Sequence, residues 1–405
     1  MIEVKGKYNT ATIYTDLIGE NAISQIIELL NQEFTKDLKI RIMPDCHSGV
    51  GCVIGTTMTI KDKVVPNLVG VDIGCGMLLV ELGKITIDFK SLDDFIKANI
   101  PSGMNVNEHI LDNSINLKDL SCFDYLKKTT YLKKSLGTLG GGNHFIEIDK
   151  DDEENLYLVI HSGSRNLGNQ VAKFYQRAAK MYQQDKIYNK FEEKQRVIEQ
   201  FKKEGKSKYI EQKLKEIDAL TIHLPIPESL CYLEGKLFND YMHDMDICQQ
   251  FAVKNRELIA KKIVEFLGKN YNKLAKFETI HNYINMKDMI LRKGAIAAYK
   301  DQKVLIPINM RDGCILGIGK GNPDYNFSAP HGAGRLLSRG DAKEKINLED
   351  FEKTMEGIFT TSVNTSTIDE SPFAYKPIES ILENIQDTVE IVKIIKPVYN
   401  YKCCD

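Results

Sequence analysis

Pro66-Asn-Leu-Val-Gly-Val-Asp-Ile-Gly-Cys-Gly-Met-Leu-Leu-Val80 places a carboxylate, Asp72, and a thiol, Cys75, three residues apart among Gly70, Gly74 and Gly76. The apolar runs on both sides bury the segment as strand or strand-like core. A carboxylate and a thiol in that setting need a compensating partner. Both are metal-ligand types: a thiolate can bridge two ions, a carboxylate supplies a hard oxygen, and glycines let the backbone approach closely. On its own the stretch favours a plainer reading, a Gly-rich turn capped by Asp72 with one buried free cysteine. Histidines further along the chain reverse that balance.

Ser135-Leu-Gly-Thr-Leu-Gly-Gly-Gly-Asn-His-Phe-Ile-Glu-Ile-Asp149 is a glycine-rich loop running into a strand, with His144 on the face of Ile146 and Ile148. Its successive N–H groups suit an anion, although it matches neither the Walker pattern nor the dinucleotide fingerprint. Leu156-Tyr-Leu-Val-Ile-His-Ser-Gly-Ser-Arg165 is a buried-type strand that ends on His161, and Glu278-Thr-Ile-His-Asn-Tyr-Ile-Asn285 ends an apolar stretch on His281. Strand ends beside such turns are where sites are built. Asn326-Phe-Ser-Ala-Pro-His-Gly-Ala-Gly-Arg-Leu-Leu-Ser-Arg339 sets His331 on a small-residue turn that reads as a helix N-terminus, whose free N–H groups suit a phosphate. Upstream, Ile42-Met-Pro-Asp-Cys-His-Ser-Gly49 puts Asp45 and His47 at alternate positions of an extended segment. A tight loop with an internally bonded histidine explains that pair equally well.

The chain of 405 residues carries 54 basic and 56 acidic side chains, so composition announces no polyanion partner and any RNA surface must come from local clustering. No signal peptide or membrane span is visible, and nine cysteines without a regular framework fit reduced thiols; a cytoplasmic protein is expected. Helical periodicity is read over Asn21–Thr35 and Met245–Phe266. Asn169 to about Leu220 is rich in Lys, Glu and Gln, and residues 169–275 read as a mostly helical insertion with a solvated charged face. His223 and His243 flank this region and are assigned to ordinary packing. No linker divides the chain, and ligand-type residues from Asp45 to His331 must converge, which predicts one domain spanning 1–405.

Asp72, Cys75, His144, His161 and His281 exceed the needs of one tetrahedral ion, and a cysteine among them could bridge two. His331, followed by Gly-Ala-Gly-Arg, suits a nucleophile facing a phosphoryl group. Two metals, a phosphate cradle and a nucleophilic histidine point to phosphoryl or nucleotidyl transfer. The motifs Val71-Asp-Ile-Gly-Cys-Gly76, Gly140-Gly-Gly-Asn-His-Phe-Ile-Glu147, His161-Ser-Gly-Ser-Arg165, His281-Asn-Tyr283 and His331-Gly-Ala-Gly-Arg335 resemble, in the same order, those of the RtcB family of RNA-splicing ligases. Similarity runs from about Ile42 to the C-terminus.

The resemblance implies an α/β (α+β) fold, a single large domain whose mixed β-sheets surround a central dinuclear metal site. It implies a GTP- and Mn²⁺-dependent RNA ligase that joins a 3′-phosphate or 2′,3′-cyclic phosphate end to a 5′-hydroxyl end in RNA repair or tRNA splicing. Asp72, Cys75 and His144 would hold one Mn²⁺, and Cys75, His161 and His281 the second. His331 would carry GMP. The guanylate pocket would draw on Asn143, His144, Phe145, Ile146, Glu147, His281, Asn282, Pro307, Ile308, Asn309, Met310, Cys314, His331, Gly332, Ala333, Gly334 and Lys402. Asp45 and His47 are candidates for positioning or deprotonating the incoming hydroxyl, and Arg165, Arg335 and Arg339 for holding phosphates. RNA and GTP are the implied partners, with room for a helper protein and none for a membrane.

Two departures from the family pattern stand out. Pro307-Ile-Asn-Met-Arg-Asp-Gly-Cys314 replaces a Pro-Gly-Ser-Met-Gly type segment with a later serine, and the chain ends Tyr401-Lys-Cys-Cys-Asp405 rather than near Lys-Gly. Both suggest a divergent branch. Cysteine with three histidines binds Zn²⁺ or Fe²⁺ at least as tightly as Mn²⁺, so Mn²⁺ rests on the resemblance. A dinuclear phosphoesterase that opens cyclic phosphates without ligation would use the same ligands but not His331. A silent RNA-binding scaffold with a structural metal would need neither.

Overall fold

The computed structural model describes residues 1–403. Strands in its first half are β1 (Ile2–Lys5), β2 (Thr10–Ile13), β3 (Ile40–His47), β4 (Ile54–Thr59), β5 (Lys63–Val64), β6 (Gly76–Gly83), β7 (Phe145–Lys150) and β8 (Leu156–Ser162). Those in its second half are β9 (Leu233–Glu234), β10 (Lys276–Ile280), β11 (Asn282–Asn285), β12 (Ile290–Lys293), β13 (Ala295–Ala297), β14 (Lys303–Asn309), β15 (Gly313–Gly319), β16 (Ser328–Pro330), β17 (Phe359–Thr360) and β18 (Val389–Lys402). Helices interleave with them throughout, giving the mixed fold expected.

Met77-Leu-Leu-Val80 is the middle of β6, and its side chains alternate between two apolar clusters. Leu78, Val80 and Leu82 face the helices Phe89–Asn99 and Gly235–Phe266, meeting Ile96, Ile259 and Ile263. Met77 and Leu79 face Tyr157, Val159, Leu305 and Ile395. Cover on both faces explains why the strand reads as a continuous apolar run although its neighbours are antiparallel.

Two sheets carry the architecture. One has the order β1-β2-β3-β4-β12-β11; the other runs β10-β6-β8-β7-β18-β15-β14, with β17 beside β18. The second sheet curls until its edges meet: Thr279 on β10 donates to the Leu305 carbonyl on β14 at 3.5 Å. Pairing along β10-β6-β8-β7 is antiparallel at every step, with Ile280 opposite Gly76, Gly76 opposite Ser162 and Phe145 opposite His161. One rim therefore collects the end of β10, the start of β6, the end of β8 and the start of β7.

Residues 169–275 are mostly helical, as expected. The helices Lys190–Lys203 and Ile210–Ala219 form an outer pair that buries only Val197 and Ile217. The helix read from Met245 begins at Gly235, because Leu237, Phe238, Tyr241 and Met242 continue its apolar face into the core. The helix read as Asn21–Thr35 stops at Leu30 and resumes as a single 3₁₀ turn, Glu33–Thr35. Cys46, Cys52, Cys75, Cys122, Cys231, Cys248 and Cys314 are free thiols, and Cys404 lies outside the described residues. No described helix is long and apolar enough to cross a membrane.

The helix Gly235–Phe266 sends two fully buried polar side chains to the rim. Arg256 Nη1 donates to the carbonyls of Gly74 at 2.9 Å and Ser162 at 2.8 Å, while Nη2 pairs with Glu278 at 3.0 Å. Asn255 accepts from the N–H groups of Gly137 and Thr138 and donates to the Gly163 carbonyl at 3.2 Å. One guanidinium thus ties together the segments that carry Cys75, His161 and His281. Arg256→Met leaves two buried carbonyls unpaired and should lower unfolding free energy by about 3 kcal/mol in urea titration. Arg196→Met, at the exposed pair with Glu193, should leave the titration midpoint unchanged.

Candidate active site

At the rim the five metal-type residues come together. Cys75 Sγ lies 3.4 Å from His144 Nε2 and 3.2 Å from His161 Nε2, and His144 Nε2 lies 3.2 Å from Asp72 Oδ2. The His281 ring stands 5.2 Å from the His161 ring, centroid to centroid, and its backbone N–H donates to the Cys75 carbonyl at 3.0 Å. Asp72 and Cys75 share a tight turn closed by the Cys75 N–H on the Asp72 carbonyl at 3.2 Å. Gly163 lies against this turn, where any Cβ would collide with the Asp72 carboxylate.

Backbone carbonyls set the imidazole tautomers. His144 Nδ1 donates to the Leu139 carbonyl at 3.0 Å, and His161 Nδ1 donates to the Asn143 carbonyl at 3.2 Å. Each Nε2 lone pair is left facing the thiol, the arrangement that metal-binding histidines adopt. His281 Nδ1 is buried with no hydrogen-bond partner among the described residues. Burial, then the neighbouring imidazoles, holds His161 and His281 well below the ordinary histidine range, so both keep their lone pairs. Burial raises the Cys75 thiol well above its usual value, and the Asp72 charge adds to that. Burial alone would raise Asp72 too, but the adjoining His144 imidazole holds it down at about 2. Soft sulfur, three imidazoles and a hard oxygen form a donor set that could hold divalent metal.

His331, just after β16 of the small β13-β16 sheet, faces this cluster, its ring 4.8 Å from that of His281. Its Nδ1 lies 2.6 Å from Asp45 Oδ2, and the same oxygen accepts the backbone N–H groups of His331 at 3.0 Å and Gly332 at 3.2 Å. The segment after His331 is not a helix N-terminus; the next helix starts at Arg339. The two N–H groups expected to be free for phosphate are therefore engaged by fully buried Asp45. Lys376 Nζ fixes that carboxylate's backbone, donating to the carbonyls of Pro44 at 3.0 Å and Cys46 at 3.2 Å. Gly334, at φ +76°, packs on the Asp45 carbonyl where a Cβ has no room. Asp45 is thus locked on His331, while His47, whose Nδ1 meets the Asp45 carbonyl at 3.1 Å, reaches the cavity. Burial pushes His47 down to about 4.

The cavity beside His331 is lined by His47, Asn143, Phe145, Glu147, His161, Pro307 to Met310, Gly332 to Arg335, Arg339 and Lys402, as well as Glu370 and Tyr375. Five residues expected there do not line it. Ile146 alternates to the other face of β7 and packs in the helix-covered core. Asn282 turns its Oδ1 to the Gly294 N–H at 2.9 Å. Cys314 is fully buried in the inner cluster of the curled sheet, behind the wall. His144 and His281 lie behind the cavity with Cys75. Arg165 lines a separate depression with Gly103, Tyr131 and Thr138, its Nη1 3.4 Å from His144 Nδ1. His243 bonds the Asp119 carbonyl at 2.9 Å, and His223 lines a surface groove among the outer helices.

Glu370 and Tyr375 escaped the sequence reading because they lie in a stretch with no glycine turn, histidine or strand pattern. Glu370 is the anionic centre of the cavity: Lys402 Nζ lies 3.1 Å away, Arg339 Nη1 2.7 Å and the Tyr375 hydroxyl 2.7 Å. Burial would raise it, but Lys402 and Arg339 hold it down at about 2. Lys402 also stands 5.2 Å above the Phe145 ring. One wall of the cavity thus offers an aromatic face, cations and carboxylates, and the other offers His331.

A family model described as tRNA-splicing ligase RtcB matches residues 31–124 and 123–403. RNA-splicing ligase RtcB of Escherichia coli K12 is 28% identical over 396 residues, covering 89% of this chain and 88% of that protein. RNA-splicing ligase RtcB1 of Escherichia coli ATCC 25922 is 28% identical over 397 residues, with 89% and 88% covered. tRNA-splicing ligase RtcB of Nanoarchaeum equitans is 26% identical over 444 residues, with 87% and 85% covered. The matched ranges take in the Cys75 cluster, Asp45 and His331 alike, and the chain belongs to the RtcB family.

Proposed function

We propose that this RNA ligase joins RNA 3′-phosphate or 2′,3′-cyclic phosphate ends to 5′-hydroxyl ends, with GTP as the activating nucleotide and two Mn²⁺ ions. The observation that carries this reading is the Asp45–His331 contact of 2.6 Å beside the thiol–imidazole cluster. With Nδ1 engaged, Nε2 is the ring nitrogen free to attack the α-phosphorus of GTP, displacing pyrophosphate and leaving GMP as a phosphoramidate. Asp45 keeps the ring in that tautomer and balances the charge that develops on it. The RNA 3′-phosphate then takes GMP from His331, and the 5′-hydroxyl attacks the activated phosphate with loss of GMP. When bound by Asp72, Cys75, His144, His161 and His281, the divalent ions supply charge neutralisation for the phosphates in each displacement.

Phe145 is placed to stack on a base and Glu147 to accept from a guanine edge, while Lys402, Arg335 and Arg339 supply positive charge for phosphates. His47, neutral and next to Asp45, is the candidate for positioning the incoming hydroxyl or taking its proton. A cyclic end must first be opened to the 3′-monophosphate. A phosphoesterase without ligase activity would do this with neither His331 nor GTP.

Incubation with α-labelled GTP and Mn²⁺ should give an acid-labile, alkali-stable GMP adduct, absent in His331→Ala. Asp45→Asn should slow adduct formation by about 100-fold or more. An enzyme that opens cyclic phosphate at the wild-type rate without GTP and forms no adduct would be the phosphoesterase instead. Cys75→Ser removes the ligand shared by both ions and should abolish adduct formation together with most bound metal, measured by elemental analysis. A chase with a broken tRNA, a broken ribosomal RNA and a tRNA exon pair should show whether the divergent segments favour repair. A clear preference for the exon pair would assign the chain to splicing.

A further inference from the structure

Behind the cavity wall the curled sheet encloses a group of polar side chains outside both the Cys75 cluster and the Asp45–His331 pair. Glu147 and Asp149 alternate with Ile146 and Ile148 along β7, so both carboxyls point to the inner face, where Cys314 of β15 meets them. Asn400 of β18 stands opposite Glu147 and donates its Nδ2 to that carboxylate. Ligand atoms of Glu147, Asp149 and Cys314 lie within 4.8 Å of one another, and all four residues are buried. Glu147 spans from the cavity to this group.

Acceptors outnumber donors here. Both oxygens of Asp149 and the Oδ1 of Asn400 are buried without a hydrogen-bond partner among the described residues. Within the group the Cys314 thiol is the one donor not already committed, and a thiol donates weakly. Donors nearby are engaged elsewhere: the Tyr157 hydroxyl holds Asp151 at 2.8 Å, Lys393 holds the same carboxylate at 2.9 Å, and Lys402 holds Glu370 at 3.1 Å. The remaining neighbours are apolar, with Leu79, Val159, Leu305 and Ile395 in the same inner cluster. Orphaned acceptors in such a setting are costly, and a proton on one carboxyl makes a donor for only one of the others. A cation answers all of them at once.

We propose that this group is a separate metal site, in which one divalent cation of borderline softness, of the Zn²⁺ class, is held by the Cys314 thiolate, the Asp149 and Glu147 carboxylates and Asn400 Oδ1. One soft sulfur and three hard oxygens make the four donors that a closed structural zinc site uses. Binding sends the thiol proton to solvent, so each cation taken up displaces one proton from Cys314. The ion ties β7, β15 and β18 together behind the wall of the cavity. Its role is structural: it faces the sheet interior, and neither GTP nor RNA is needed to fill the site.

Cobalt separates this site from the Cys75 cluster, because a thiolate bound to Co²⁺ gives a charge-transfer band in the near ultraviolet. In the full chain carrying Cys75→Ser and loaded with Co²⁺ we expect that band to remain, and to vanish when Cys314→Ser is added. After loading with Zn²⁺ and dialysis, the zinc content should fall by one ion per chain from Cys75→Ser to Cys75→Ser with Asp149→Asn. Should Cys75→Ser not fold, Cys314→Ser alone should lower the zinc content by one ion per chain and weaken the cobalt band without abolishing it. A folded Cys75→Ser chain with no band, or a band that survives the loss of Cys314, overturns the site. Zinc content left unchanged by Asp149→Asn and by Cys314→Ser would mean that protons neutralise these acids, and overturns it as well.

Discussion

Four strands that run alternately up and down present alternately a last and a first residue along any one rim. In this chain those residues are His281, Cys75, His161 and His144, and the rim is the floor of the site. Backbone pairing brings together side chains that the sequence separates by about two hundred positions, and it does so at the spacing of adjacent strands. Arg256 acts on the same constraint from the helix side, because the carbonyls it holds belong to Gly74 and Ser162, each next to a ligand or a ligand's neighbour. Most of what makes the centre compact is strand order; the side chains supply the chemistry.

The opposite half of the site follows another rule. His331 comes from outside that rim, and its orientation depends on one carboxylate oxygen that takes three N–H donors. Lys376 pins the backbone on either side of Asp45, so the geometry around His331 is built from a strand of the first sheet and a lysine far along the chain. The cavity lies where the two halves face each other. It brings an aromatic face, three cations and buried acids to one place, a mixture suited to a nucleotide more than to an apolar ligand.

Much of this was legible in residues alone. Glycine next to an isolated ligand-type side chain at a strand end marked Asp72, Cys75, His144, His161 and His281, because burying such groups has few explanations. Strand alternation, read properly, also excludes Ile146 from the pocket, since it shares its face with Ile148 and the helices. What could not be read was long-range satisfaction of donors. The N–H groups after His331 look free in the sequence, and only the fold shows Asp45 beneath them. Glu370 is similar: an acid in an unpatterned loop becomes a pocket wall only when Lys402, Arg339 and Tyr375 close around it.

The buried thiol at the centre has a consequence for how the site is filled. Cys75 holds its proton tightly in these surroundings, and a coordinating sulfur must give it up. A metal taken up through this sulfur would displace its proton, in competition with solvent protons for the same atom. Acid in the medium would then oppose filling of the site, quite apart from any effect on turnover.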